Sequence, residues 1–273
     1  MPERLAVRKT YKLFIGGAFP RSESGRTYFV QDHNVALASR KDLRDAVVAA
    51  RAAVPKWSGA TAYNRGQILY RAAEMLEGRR AEFAALGVAL PEVDAAVDRW
   101  VWYAGWSDKL AQVYGGANPV AGPFFNLSTP EPTGVVGILA PADSALLGLV
   151  SVIAPAIVTG NTVVVVAAET QPLPAITLAE VLATSDLPGG VVNLLTGRAS
   201  ELGPWLASHA DVNAIDLTGA DPALAASLEE AAAGTLKRVV RPPETPIDWT
   251  ADPGLHRMTA FLETKTVWHP KGV

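Results

Sequence analysis

The chain contains no cysteine. That excludes disulfides, thiolate metal sites and any thiol nucleophile among these residues. Its four histidines, His33, His209, His256 and His269, are scattered, and none has a second histidine or a carboxylate at metal-ligand spacing, so no metal site is expected. Charge of one sign is also missing. Lys and Arg number 24 against 27 Asp and Glu, a formal net charge of −3, which leaves no electrostatic footprint for nucleic acid or an anionic membrane. The longest apolar run, Ala145 to Val158, is too short to span a bilayer and is broken by Thr159-Gly160-Asn161. The N-terminal MPERLAVRKTYKLF lacks the apolar core of a leader, and a cytoplasmic location is the expectation. There is no G-x-S-x-G elbow, and no G-x-G-x-x-G follows an apolar run. What the 273 residues do have is apolar content, 49%, enough for a large core in one or two domains.

The stretch from Gly134 to Glu169 organises the rest. Gly134 to Ala140 and Thr162 to Ala168 are short β-branched runs without alternation, the pattern of parallel strands buried on both faces. Between them a helix fits, with Asp143 or Ser144 as candidate N-cap. Strand, helix, strand is a right-handed βαβ unit. The alternation continues through a helix at Leu173 to Thr184, a strand at Val191 to Leu195 and a helix at Ser200 to Ser208. A strand at Val212 to Leu217, a helix at Pro222 to Ala233 and a strand at Leu236 to Val240 complete it. The fold class is α/β, a doubly wound Rossmann-like parallel sheet of about five strands.

Upstream, Tyr11 to Phe19 and Thr27 to Val30 read as a hairpin turning at Ser22 to Gly25. Ser39-Arg40-Lys41-Asp42 is a capping box with Asp for Glu, opening a helix with Leu43, Ala46, Val47 and Ala50 on one face. Pro55 to Gly59 separates it from a helix over Asn64 to Leu86. A third helix over Glu92 to Val113 carries Trp100, Tyr103 and Trp106, aromatics that fill space between helices. Gly115 to Pro132 is rich in Gly and Pro, with Phe124 and Phe125 between the prolines. Arg241 to Pro246 ends the regular pattern, because three prolines exclude helix and central strand.

These pieces resemble the aldehyde dehydrogenase family. The resemblance rests on Glu131-Pro132-Thr133-Gly134-Val135-Val136-Gly137, Gly160-Asn161-Thr162-Val163-Val164, Leu187-Pro188-Gly189-Gly190-Val191-Val192-Asn193 and Leu217-Thr218-Gly219, in that order and spacing. The Lys12-Leu13-Phe14-Ile15 phrase and Leu262 to Trp268 add the family's N-terminal hairpin and C-terminal strand. Glu92 to Trp100 and Asn118 to Pro123 are similar to the aldehyde dehydrogenase 16 type, in which a complete domain precedes a degenerate one lacking the cysteine. The resemblance implies four segments: residues 1–114, the N-terminal hairpin and helices; 115–132, an oligomerisation arm; 133–241, the coenzyme-binding domain; and 242–273, a tail with an oligomerisation strand. The catalytic domain would be excised between about Arg241 and Asp248.

The family oxidises an aldehyde by adding a thiolate, holding the oxyanion and passing hydride to NAD. No residue here supplies the thiolate, and no catalytic residue is expected. The family's oxyanion Asn falls on Asp143, whose carboxylate would repel an oxyanion, and its general base falls on Pro242, with Glu244 out of register. Its ribose-binding Lys-Pro-x-Glu reads Val166-Ala167-Ala168-Glu169, and its Phe-Thr-Gly-Ser reads Leu217-Thr218-Gly219-Ala220. Glu169 and Gly219 are thus vestigial cofactor contacts. No cofactor is expected, with NAD binding weak at most. The expected function is a non-catalytic subunit that assembles with a full-length aldehyde dehydrogenase, or with itself, through Phe124, Phe125, Thr266, Val267 and Trp268. The alternative is a nucleotide-binding module or weak oxidoreductase on the same fold.

Overall fold

A computed structural model describes Leu5 and residues 8–272. The expected lack of a leader falls partly on residues outside that set. The chain starts with a three-stranded sheet of β1 (Thr10–Tyr11), β2 (Thr27–Val30) and β3 (His33–Ala36), in the order β1-β3-β2. The expected hairpin between Tyr11 and Val30 is therefore displaced. The hairpin joins β2 to β3, and it turns at Gln31 and Asp32, both at positive φ (46° and 62°). Two consecutive positive-φ residues suit the twist of a tight hairpin, but Gln-Asp lacks the Asn-Gly signature by which sequence reveals one.

Five helices follow: α1 (Arg40–Ser58), α2 (Ala62–Glu77), α3 (Arg80–Ala85), α4 (Leu90–Trp106) and α5 (Leu110–Tyr114). The capping box forms at Ser39, and the Asp42 carboxylate also accepts from the Ser22 hydroxyl and the Glu23 amide, which ties the first loop to the helix. Pro55 does not end α1; it lies inside the last turn. The two long helices expected downstream each break, at Gly78-Arg79 and at Ser107 to Lys109. Val113, expected to share a helix face with Trp100 and Tyr103, falls in the short α5 and is 53% exposed, while Trp100 and Tyr103 are fully buried, as space-filling aromatics should be.

Strands β4 (Gly116–Asn118) and β5 (Phe124–Pro132) lead into the main unit. That unit runs β6 (Val135–Leu139), α6 (Leu147–Val158), β7 (Thr162–Val166), α7 (Pro172–Ala183), β8 (Val192–Leu195), α8 (Ala199–Ser208), β9 (Ala214–Asp216), α9 (Pro222–Ala233) and β10 (Arg238–Val240). The five strands are all parallel in the order β10-β9-β6-β7-β8. A short helix, α10 (His256–Thr259), and a long strand, β11 (Leu262–Pro270), close the chain.

The sheet is buried on both faces, and the strands show why they carry no polar alternation. Val136, Ile138, Val163 and Val165 point into a core shared with α4, α6 and α7, whereas Val135, Leu139, Val164 and Val166 point into a second core with α1, α8 and α9. Each face needs apolar side chains, so both phases of the two-residue period are filled. Strands β11, β5 and β4 form a separate antiparallel sheet, with nine residue pairs between β11 and β5.

Candidate functional site

In a doubly wound sheet, ligands bind at the carboxyl ends of the strands where the crossovers diverge. Here that point lies between β6, whose crossover runs to β7, and β9, reached from the other side. Two turns border the crevice: Ala140 to Leu146 after β6, and Leu217 to Asp221 after β9.

The chain's own tail covers this crevice. Pro243, Ile247 and Trp249 lie across both turns and leave a cavity of about 230 Å3 lined also by Asp143, Gly219 and Asp221. Trp249 is 8% exposed, and its indole Nε1 donates to Asp143 Oδ1 at 3.1 Å. Arg99 of α4 holds the tail from beneath, donating to the carbonyls of Trp249 (2.7 Å) and Ala251 (3.0 Å) and to Ser151 Oγ (3.0 Å). Burial pushes the Arg99 guanidinium below its ordinary value. Arg257 of α10 reaches the end of β9 and pairs with Asp216 at 3.2 Å, where the carboxylate is 1% exposed. Asp216 also accepts from the Thr218 amide and hydroxyl.

The helix N-termini flanking the crevice are capped by acids. Asp143 makes no cap on α6, and Ser144 caps it from outside the N-cap position: its Oγ accepts from the first-turn Gly148 amide at 2.8 Å, while the N-cap itself is Leu146, which makes no side-chain cap. Glu92, in the first turn of α4, places one carboxylate oxygen on Ser144 Oγ (2.8 Å) and the amides of Leu146 (3.0 Å) and Leu147 (3.2 Å). At α9, Asp221 accepts from the amides of Ala223 and Leu224, both at 2.9 Å. These amides form the positive ends of the helix dipoles, the groups that cradle phosphate in dinucleotide-binding folds. With a carboxylate already on each, a pyrophosphate would find the donors taken and a negative charge facing it.

The two residues singled out for coenzyme do not meet there. Glu169 is exposed after β7 and pairs with Arg198 at 3.5 Å. Three residues earlier, Val166 is buried in the second core and offers no polar group to the crevice. Gly219 does border the crevice, but it has a steric reason of its own: a Cβ there would stand 2.0 Å from the Ala140 carbonyl oxygen. Its amide donates to the Leu139 carbonyl, joining the two turns. Pro242 is half-buried and Glu244 exposed. Among the described residues no group of three or more His, Asp or Glu could hold a metal, and no helix is long and apolar enough to cross a membrane.

The remaining sequence phrases tie the structure together. Asn161 accepts from the Gly134 amide at 2.7 Å and donates to the Phe261 carbonyl at 2.9 Å, fastening the tail to the start of β6. Asn193 accepts from the Gly16 amide at 2.9 Å. The aldehyde dehydrogenase family model matches residues 31–241. This chain belongs to the aldehyde dehydrogenase family. It is 34% identical over 248 residues to an aldehyde dehydrogenase, cytosolic 1, of Elephantulus edwardii, covering 84% of this chain and 49% of that one. It is 33% identical to retinal dehydrogenase 2 of Homo sapiens (85% and 48% covered), and 33% to the cytosolic 10-formyltetrahydrofolate dehydrogenase of Xenopus tropicalis (86% and 28%). Among solved structures, HpcC from Thermus thermophilus superposes with a TM-score of 0.79 at 32% identity, covering 85% of this chain and 47% of that one. An aldehyde dehydrogenase from Bacillus cereus, solved as its NAD+ complex, gives 0.79 at 28% identity, with 85% and 50% covered. The chain thus spans about half the length of the aldehyde dehydrogenases it matches, and β11 lies beyond the family-model match.

Sequence reasoning missed Glu92, Arg99, Asp216, Trp249 and Arg257. Glu92 reads as an ordinary first-turn acid of its own helix, and nothing local reveals that it caps another helix more than fifty residues on. An arginine and a tryptophan at spacings above one hundred residues give no pattern either. Asp216, at the end of a buried strand run, was the one legible signal, since a lone acid there needs a cation.

Proposed function

We propose that this aldehyde dehydrogenase-family chain is a non-catalytic subunit that assembles with a full-length aldehyde dehydrogenase and binds NAD weakly or not at all. The observation that carries the reading is the crevice covered by the tail, with Glu92 and Asp221 on its helix N-termini. The sequence adds that no residue here supplies a thiolate, and that Asp143 and Pro242 stand at the family's oxyanion and base positions.

Assembly is supported by the sheet of β11, β5 and β4. Phe124, Phe125 and Trp268 are 37%, 43% and 56% exposed. Phe124 and Trp268 meet edge to face at 5.8 Å, and Ser128 and Thr266 share a hydroxyl hydrogen bond at 2.8 Å across the pair. Val267 pairs with Leu127 beside them. Among the described residues β11 is bonded only to β5, so alternate residues along its outer edge leave their backbone groups unpaired. Such an edge is a template for another chain. Pairing with a second copy is the other form of the same reading. The names of two relatives include the word cytosolic, which supports a cytoplasmic location.

The second reading, a nucleotide-binding module or weak oxidoreductase, draws on the likeness to the NAD+ complex from Bacillus cereus. Two experiments separate the readings. Co-expression with a full-length aldehyde dehydrogenase from the same source should give one complex on size exclusion, and deleting Leu262 to Pro270 should abolish it. Titration calorimetry should show no NAD binding at physiological concentration. A soluble monomer that ignores the full-length enzyme refutes assembly, and a low-micromolar dissociation constant for NAD establishes the second reading.

A further inference from the structure

The tail from Pro242 to Gly254 has neither helix nor strand, and it is held by side chains. Its one deeply buried residue, Trp249, occupies a slot with recognisable features of a ligand site. The indole N–H has an acceptor in Asp143. One edge of the ring lies against Gly148, where an added Cβ would crowd Ser144 Cβ (2.9 Å) and Pro141 Cγ (3.0 Å) first and Trp249 Cε2 (3.2 Å) next. The Arg257 guanidinium stands 5.5 Å from the ring centroid, within cation–π range. Trp249 also lines two cavities, of about 230 and 300 Å3, on the crevice side and the tail side. Asp143 itself is solvent-exposed and lines a further cavity of about 350 Å3, so the acceptor end of the slot is open to exchange.

We propose that the turn after β6 is a binding site for a planar aromatic heterocycle bearing a ring N–H, with the chain's own Trp249 as its resident ligand. The wall is Gly148 and Pro141, the hydrogen-bond acceptor is Asp143, and Arg257 supplies the cation above the ring. The tail acts as an intramolecular competitor. An outside ligand of this class enters only as the tail leaves, and the tail's loss of its Arg99 contacts sets the cost. The site belongs to this chain alone, so its test is independent of whether the chain pairs with a full-length enzyme.

Trp249→Gly in the full chain empties the slot, and indole is the probe. A slot emptied by truncating a large side chain takes up an aromatic of matching shape when its walls are apolar, as Gly148 and Pro141 are here. Millimolar indole should raise the melting temperature of Trp249→Gly and leave the parent chain unchanged. Indene, the same shape without the N–H, should bind about threefold or more weakly, since Asp143 is charged but solvent-exposed. Adding Asp143→Ala should make indole and indene equal. No rise with indole, or equal rises for the two probes while Asp143 is intact, overturns the proposal. If Trp249→Gly does not fold alone, refolding it with indole decides: recovered trypsin resistance supports the site. Failure to recover, with Trp249→Phe folded and resistant, overturns it.

Discussion

Glu92→Ala is the sharpest probe of how the crevice is closed. The substitution removes one acceptor oxygen from three donors at 2.8, 3.0 and 3.2 Å, of which two are the leading amides of α6. A hydrogen bond to a charged acceptor contributes about 1.5–3 kcal/mol, and an acid at a helix N-terminus about 0.3–1 kcal/mol more. The three bonds share one oxygen on a half-buried side chain, so they do not add, and the expected loss is about 2–3 kcal/mol. That lowers the melting temperature of a chain this size by about 4–8 °C. Glu92→Gln keeps an acceptor without the charge and should lose about 1 kcal/mol. Urea unfolding followed by circular dichroism measures both. The same variants report on the anion site. With the donors freed and the charge gone, inorganic pyrophosphate should stabilise Glu92→Ala more than the parent chain. A loss below about 0.5 kcal/mol would mean that water satisfies these amides equally well. Equal pyrophosphate effects on variant and parent would refute the view that Glu92 excludes phosphate.

Gly219→Ala should cost about 3 kcal/mol with no coenzyme present, because the new Cβ meets the Ala140 backbone; a change within about 0.5 kcal/mol in urea unfolding would mean the two turns can separate. Arg257→Met leaves Asp216 buried with only Thr218 to bond it, and about 3 kcal/mol should be lost, part of it recovered by adding Asp216→Asn. His256 is exposed on one side, yet it is held below its ordinary value of 6.5, first by partial desolvation against the chain and then by Arg257. The unfolded chain therefore binds that proton first, and this group's contribution to stability is full above about 6.5, falls as the pH drops below it, and levels off once the folded form is protonated too. Denaturation midpoints between about pH 7.5 and 5.5 should fall less steeply in His256→Asn.

Much of the fold was legible because its signals are local. Uninterrupted valine in Thr162 to Val166 states that both faces of a strand are buried, and Ser39 with Asp42 states where a helix begins. The helix over Pro222–Ala233 was legible to the residue, since Asp221 and Pro222 mark its start and Gly234 its end. The first hairpin was not, because Gln31-Asp32 adopts a turn that its residue types do not announce. Boundaries failed where tertiary contacts override local preference, as at Pro55, where the ring sits within the last turn of α1 instead of ending it.

The site divides along the same line. By itself the sequence determined the doubly wound sheet, the family and the absence of cysteine among these residues. Each of those is a matter of residue identity or of spacing within one segment. Only the tertiary structure decided what stands at the mouth of the sheet. Glu92 on α6, Arg99 beneath the tail, Trp249 on Asp143 and Arg257 on Asp216 join residues 41 to 150 positions apart. Such pairs leave no periodicity in the chain, because the distance that matters to a hydrogen bond is set by how helices and tail pack on the sheet, after the local pattern has been spent in forming them.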